Sequence, residues 1–408
     1  MNKAYVVRLY PTSSQISLLE KTFGCTRFIY NQMLAERKQI YEKLKNNKEE
    51  LYSYSYKTEK EYKQEFEWLK EVSSRALQQS RIDLQTAFSN FYKGLKKNKK
   101  IGFPKFKSKH LSRLSYREPQ VNNCISIENN KIKLLKLGFV KFRGLSHSFS
   151  GDIKSVTVYK TKTGKYFASI LVEKLIDKKK RISNNTIGID LGLKEFATCS
   201  NGEVIQGIKQ ELYTIEKDIK KAHKHFSRKK AGSKRREKAR IKLAKKYGYR
   251  TNFLNHFQWS LVTKLCSENQ AIYLETLNVK GMIKNRKLSH AIHIINWSSF
   301  VAKLEQKAKE YDTIIYRVPT FYASSKTCSR CGAKKTSLLL SERTFFCESC
   351  LLSMDRDYNA SVNIREYFNN KSLEYKDYER GEIIRPEELK TILYNSNGSF
   401  YEAFRKSL

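Results

Sequence analysis

The chain has 408 residues, enough to bury a sizeable core and, as a prior, to hold two or three units rather than one. Its 80 Lys and Arg against 40 Asp and Glu leave a formal charge of +40, which points to a polyanion, nucleic acid first, because each neutralised phosphate releases condensed counterions. No apolar run of about 18 residues argues for a membrane span, and MNKAYVVRLYP lacks the apolar core of a secretory signal, so an intracellular, cytoplasmic protein is expected.

Residues 4–9, AYVVRL, read as a first strand that ends before Pro11. Thr12 and Gln15 then stand at capping-box spacing, and Ile16, Leu19 and Phe23 follow on one helical face. Helical periodicity continues to about residue 97. In SSRALQQSRIDLQTAFSNFYKGL, Leu77, Leu84, Phe88 and Phe91 form one stripe, and Ser74, Gln78, Arg81 and Gln85 lie towards the other side. From residue 101 the texture changes: IGFPKFKSK mixes aromatics with lysines around a proline, and short β-rich runs follow, broken by Asn129-Asn130 and Thr163-Gly164. That alternation predicts a small antiparallel barrel to which the opening strand belongs, with the helical stretch as an insertion.

DKKKRISNN, residues 177–185, reads as a linker. In TIGIDLGLKEFATCSNGEV, residues 186–204, the β-branched Ile187 and Ile189 predict a buried strand that ends on Asp190, with a partner strand closing near Asn201-Gly202. A carboxylate there needs a compensating charge. Residues 220–250 are helical in pattern and carry fifteen Lys and Arg against one acid, Glu237, a density that repels itself without counter-anions. AIYLETLNV, residues 271–279, is a second buried strand with an acid, Glu275, at its end. NWSSFVAKLEQKAKEYDTIIYRVP then predicts a helix, with Phe300, Leu304 and Ala308 on one face, feeding a further strand. A last helix opens at MDRDYNASVNIREYF with two acids at its start, and the polar tail from about 368 to 408 suggests no function.

Four of the eight cysteines, Cys328, Cys331, Cys347 and Cys350, form C-x2-C-x15-C-x2-C. Two tight turns, each offering two thiolates, complete a tetrahedral S4 shell that suits one structural zinc and is closed to substrate. The acids Asp190, Glu275 and Asp357 each have an ordinary reading alone: a turn cap, a paired strand end, a helix-start neighbour. As a set they sit at strand ends or a helix start in an α/β pattern. Three carboxylates gathered into one site repel unless divalent cations neutralise them, as in two-metal phosphodiester hydrolysis, and oxygen ligands favour Mg²⁺.

The order IGIDLG, YLETLNVKGM, CSRC, CESC, DRDYNASVNI resembles the transposon-encoded TnpB proteins, compact relatives of type V CRISPR nucleases. FPKFKSK and YPTSSQISLLEKTFGCTRFIYNQML are similar to that family too, so the resemblance spans roughly residues 3 to 366. It implies an α+β multidomain chain: a wedge-type β-barrel from 1–10 and 101–180, a helical recognition insertion at 11–100, and an RNase H-like RuvC nuclease domain from 181–322 and 351–367. A zinc ribbon at 323–350 and a tail at 368–408 complete it. It also implies an RNA-guided DNA endonuclease that works with a guide RNA from its own locus on double-stranded DNA, using two Mg²⁺ ions held by Asp190, Glu275 and Asp357; a monomer is favoured over a dimer. Asp357 rather than the nearby Asp355 is the acid two residues before the family's asparagine, here Asn359. Arg343 matches an arginine near the nuclease centre, and Tyr52, Ser74 and Gln78 are candidates for reading a short flanking motif, since such side chains hydrogen-bond base edges. The alternatives are a miniature CRISPR effector of the same chemistry and a nuclease-silent DNA-binding regulator. Three departures stand out: Thr276 follows the strand-end glutamate where a second acid is common, Leu351 follows the second knuckle where glycine is usual, and His256-Phe257 replaces a His-Lys pair.

Overall fold

The computed structural model describes residues 2–97, 101–144, 151–173, 179–206, 208–339 and 341–368, together with two short strands, Tyr375–Lys376 and Ile383–Ile384. Most of the tail expected at 368–408, and the first residues of the expected linker, lie outside the described residues. The chain divides into two units, Met1–Ile176 with Phe226–Lys245, and Asp177–His225 with Lys246–Leu408.

The first unit is built on seven antiparallel strands: β1 (Asn2–Tyr10), β2 (Leu114–Pro119), β3 (Ile127–Glu128), β4 (Lys131–Leu134), β5 (Gly138–Arg143), β6 (Asp152–Lys160) and β7 (Tyr166–Glu173). Their order is β2-β6-β7-β1-β5-β4-β3, so the opening strand lies inside the sheet, between β7 and β5. Among the described residues β2 and β3 end the sheet unpaired to each other. The sheet is therefore open rather than the closed barrel the alternation predicts, ending on the two-residue β3. The β3–β4 turn is Asn129-Asn130, both left-handed at φ 45° and 59°, as the tightest hairpin turn requires. Alternate residues, among them Val7, Leu9, Val156, Val158, Ile170 and Val172, point into one core, each contributing roughly 1.5–3 kcal/mol by burial.

Helix α1 (Ser13–Leu44) starts with the expected capping box: the Gln15 amide donates to Thr12 Oγ1 at 3.4 Å and the Thr12 amide to Gln15 Oε1 at 3.0 Å. Leu19 and Phe23 join the sheet core, while Ile16 in the first turn stays exposed. Further along α1, Ile29, Met33 and Leu34 pack with Leu77, Leu84 and Phe88 to form a second core. Helices α2 (Lys48–Ser53), α3 (Glu59–Glu65) and α4 (Ser74–Lys96) complete this part. The aromatic–lysine segment is held by Asn31, whose side chain takes both the amide and the carbonyl of Lys107, and by Lys38 over the rings of Phe103 and Phe106.

The second unit has a five-stranded mixed sheet, with β8 (Asn185–Leu191), β9 (Ala197–Cys199), β10 (Val204–Ile205), β11 (Asn269–Glu275) and β12 (Ile314–Val318) in the order β10-β9-β8-β11-β12. β8, β11 and β12 run parallel; β9 and β10 fold back antiparallel through Gly202, at φ 86°. Helices α5 (Lys209–Ser227) and α6 (Lys234–Glu268) follow β10, and Glu216 and Asp218 on α5 pair with Arg250 and Lys246 on α6. After β11 come α7 (Val279–Met282), α8 (Arg286–Ile295) and α9 (Trp297–Tyr311), the last feeding β12 as its sequence predicts. Ile187, Ile189 and Leu191 of β8 face a core with Val262 and Leu265 of α6 and Phe300 and Leu304 of α9. A hairpin of β13 (Thr344–Phe346) and β14 (Ser353–Asp355) precedes the last helix, α10 (Arg356–Glu366). No helix among the described residues is long and apolar enough to cross a membrane.

Candidate active site and cysteine centre

β8 and β11 pair in parallel with Ile189 opposite Leu274, so the next residues, Asp190 and Glu275, stand side by side at the carboxyl ends of adjacent strands. In open α/β sheets that end is where ligands bind. On its other side Glu275 has Val318 of β12 as its partner. The odd positions of β8 fill the apolar core, which leaves Gly188 and Asp190 on the opposite face.

That face is covered by α10, and the approach is close. A Cβ added to Gly188 would lie 2.2 Å from the carbonyl oxygen of Ser361 and 2.7 Å from the amide nitrogen of Arg365. Only glycine lets the helix backbone lie directly on the strand. Asp357 is one helical turn before Ser361, Asp190 is two strand residues beyond Gly188, and the two steps are each about 6 Å. The helix therefore brings Asp357 over Asp190.

Asp355 and Asp357 divide the work of the DRD triplet. The Asp355 carboxylate is the N-cap of α10, accepting from the amides of Asp357 and Tyr358 at 2.9 Å each. Asp357 is left to face the other acids, with Arg356 Nε at 3.3 Å and Arg343 Nη1 at 3.8 Å. Arg343, just before β13, is held there by the first residue of α10, whose Arg356 amide donates to the Arg343 carbonyl at 2.7 Å.

Burial pushes the Asp190 carboxyl well above the usual carboxylate range, and the charges of Glu275 and Asp357 push it further, with Arg356 opposing. Burial also raises Glu275, opposed by the hydroxyl of Ser324, which donates to its Oε1 at 2.5 Å. All three acids expected from the sequence thus share one site. A crowd of half-buried carboxylates, mutually repelling and short of positive charge, is a donor set suited to divalent cations with oxygen ligands. Gly188 and Ser324 were not singled out in the sequence. Gly188 sits in plain view within IGIDLG, two residues before the acid, but its partner is 173 positions away.

The four cysteine sulfurs lie within 4.8 Å of one another, with Cys328 to Cys350 at 3.6 Å and Cys331 to Cys347 at 3.5 Å. Tetrahedral zinc with bonds of about 2.3 Å sets sulfurs about 3.8 Å apart, so the residues fit an S4 ion. The two knuckles repeat one backbone pattern. Gly332 donates to the Cys328 carbonyl at 3.0 Å and Leu351 to the Cys347 carbonyl at 2.9 Å; the amides of Cys328 and Cys347 donate to Ala333 and Leu352 at 2.8 Å each. Gly332 and Leu351 hold the same left-handed turn, at φ 77° and 58°. The leucine therefore preserves the knuckle and carries the strain of doing so. Backbone amides of Cys350 and Ser349 hold the Cys347 thiol down at about 6, the direction a thiolate ligand needs.

Two asparagines tie the cysteine segment to α10. Asn359 donates to the Thr327 carbonyl at 2.7 Å and accepts from the Ser329 amide at 3.0 Å, while Asn363 donates to the carbonyls of Ser324 and Thr327 at 2.8 and 2.6 Å. Of the other sequence candidates, Ser74 and Gln78 are exposed on the first turns of α4, four residues apart on one face, and Lys63 Nζ bonds the Ser74 hydroxyl. Tyr52 is on a different helix, α2, and is 84% exposed.

Three family models match the chain: "Helix-turn-helix domain" at residues 1–47, "Probable transposase" at 169–286, and "Cas12f1-like, TNB domain" at 297–364. In this chain residues 1–47 form a strand and one long helix rather than two helices about a turn. A "Putative RNA-guided DNA endonuclease" of Streptomyces pristinaespiralis is 33% identical over 368 residues, 89% of each chain. The "Putative RNA-guided DNA endonuclease InsQ" of Escherichia coli K12 is 27% identical over 379 residues, covering 89% of this chain and 91% of that protein. The fold is similar to that of the protein in a Cas12f1–sgRNA–target DNA complex, with a TM-score of 0.55 at 15% identity, over 90% of this chain and 98% of the other. A relative at 33% identity across almost the full length of both proteins, together with the matching family models, places this chain in the TnpB family.

Proposed function

We propose that the protein is an RNA-guided DNA endonuclease, associated with a transposon, that hydrolyses phosphodiester bonds of DNA beside a short flanking motif. One observation carries the reading: Asp190, Glu275 and Asp357, brought from three distant segments, meet at the carboxyl ends of β8 and β11 under the start of α10. Two Mg²⁺ ions held there by the three carboxylates would supply an activated water and neutralise the charge of the leaving oxygen. The chain's own residues do the rest. Ser324 opposes the upward push of burial on Glu275, Arg356 offsets the charge of Asp190, and Arg343 beside Asp357 is the group to meet a phosphate. The four cysteines would hold one zinc, which would order the β13–β14 hairpin.

In this reading the seven-stranded sheet is the wedge-type half-barrel, the helices between β1 and β2 are the recognition insertion, and the five-stranded sheet with α10 is the RuvC-type nuclease domain. Guide pairing supplies sequence choice, and Ser74 and Gln78 on α4, with Tyr52, read the flanking motif. The intact acid set argues against a nuclease-silent regulator.

The protein is purified from cells carrying its native locus, the co-purifying RNA is sequenced, and the complex is given matched DNA and Mg²⁺. A discrete RNA and guide-dependent cutting that Asp190→Ala abolishes without loss of RNA binding are expected. Cutting by the Asp190→Ala complex would refute the site. An RNA from a repeat array instead of a transposon end would make the protein a CRISPR effector. Ser74→Ala with Gln78→Ala should change the flanking-motif preference, and an unchanged preference removes those residues from the reading.

A further inference from the structure

We propose that Phe321 is a stacking platform that positions a nucleobase of the DNA strand lying across the acid cluster. The inference rests on the endonuclease reading above. β12 ends at Val318, the partner of Glu275, and the chain returns to the same carboxylate six residues later through the Ser324 hydroxyl. Between these anchors is a tight turn, closed by the Tyr322 amide donating to the Pro319 carbonyl at 3.1 Å, with Phe321 at its tip. The turn is braced on a third side, where the Tyr322 ring packs edge-on against Tyr367 at 4.6 Å.

Held in this way, Phe321 is 97% exposed, the most exposed large apolar side chain among the described residues. At that exposure the ring is packed against none of the described residues, and among them it adds nothing to the core. Three residues from Val318 span at most about 11 Å and paired strands lie about 5 Å apart, so the Phe321 backbone is within about 16 Å of that of Glu275, roughly five stacked nucleotides at about 3.4 Å per base. A strand opened by guide pairing presents unpaired bases, and a base stacks on an aromatic face whatever its sequence. Arg343, half-exposed beside Asp357, is the complementary group for the phosphate. The occupant that this combination of flat ring, cation and metal-binding acids fits is a single nucleic-acid strand.

The test uses the full chain and its guide RNA with Phe321→Ala, Phe321→Leu and Phe321→Trp. Binding of a single-stranded oligonucleotide carrying 2-aminopurine is read first, without Mg²⁺. Wild type and Phe321→Trp should change its fluorescence by stacking, and the alanine and leucine variants should not. In single-turnover cleavage of matched DNA, alanine and leucine should slow the reaction by about 5- to 100-fold, the range of one lost base stack, and tryptophan should retain it. Guide binding, zinc content and melting temperature should stay unchanged in all three. A leucine variant equal to wild type, or an alanine variant that keeps the fluorescence change, overturns the proposal. A wild-type complex that cuts nothing would instead sink the endonuclease reading, while the fluorescence still decides the stack.

Discussion

Gly188→Ala tests whether the nuclease centre depends on how closely α10 lies on β8. The new Cβ would sit 2.2 Å from the Ser361 carbonyl oxygen, where an ordinary carbon–oxygen contact is about 3.3 Å. Both atoms belong to hydrogen-bonded backbone, so neither can rotate away. The helix must retreat by roughly 1 Å, carrying Asp357 one turn further along, and a displacement of that size costs about 100-fold when reacting groups must be held in register. Overpacking should also cost about 1–3 kcal/mol, or roughly 2–10 °C in melting temperature for a unit of this size. Single-turnover cleavage of matched DNA by the guide-loaded complex reads the first effect, and thermal unfolding the second. Gly248→Ala is the control: a Cβ there meets nothing within 4 Å, and the change should be neutral or stabilise the helix by up to about 1 kcal/mol. A Gly188→Ala complex that cleaves at the wild-type rate would refute the close approach.

Ser324→Ala removes the hydrogen bond that lowers the Glu275 carboxyl, so the acid limb of the pH–rate profile should move upward. Cleavage falls several-fold on the acid side and recovers as pH rises; a uniform loss at every pH would contradict this role. Asp190 and Glu275 are both raised in the metal-free protein, so the folded state binds more protons than the unfolded one, and stability falls as pH rises from about 4 through their folded values. Asp190→Asn should therefore melt higher than wild type at neutral pH without Mg²⁺, by roughly 2–4 °C if of order 1 kcal/mol is relieved, and cut nothing. A gap that widens towards pH 4 would reverse the sign. Leu351→Gly should relieve about 1–2 kcal/mol of left-handed strain, less about 0.5–1 kcal/mol of added unfolded-chain freedom. Slower release of zinc to a chelator is the expected readout, and faster release counts against the strain.

The sequence showed what short-range rules govern. The Thr12 cap, the Asn129-Asn130 turn, the strand ending on Glu275, the strand that carries Asp190 one residue before its end, and the cysteine knuckles are all local patterns. Long-range partners were not legible. Nothing in the spacing of Ser324 shows that its hydroxyl reaches Glu275, and nothing near Gly188 announces a helix 173 residues downstream. The ambiguity of Asp355 and Asp357 had the same origin. Their types are identical, and only the N-cap geometry of α10 separates the structural acid from the one that faces the site. Ile16 fits the apolar period of α1 yet stays exposed, because periodicity gives a face and not how far along the helix its cover extends.

The placing of α10 also sets the order in which the protein can become dangerous to DNA. Asp190 and Glu275 emerge from the ribosome 85 residues apart, and Asp357 follows 82 residues later. At about 5–20 residues per second the first two acids wait roughly 4–16 seconds for the third. Throughout that interval the basic helices and the two strand acids are already synthesised, but the lid that completes the site is not. With the site as proposed, a nascent or prematurely terminated chain would attract nucleic acid without being able to cut it, and the last helix would be the arming step of synthesis.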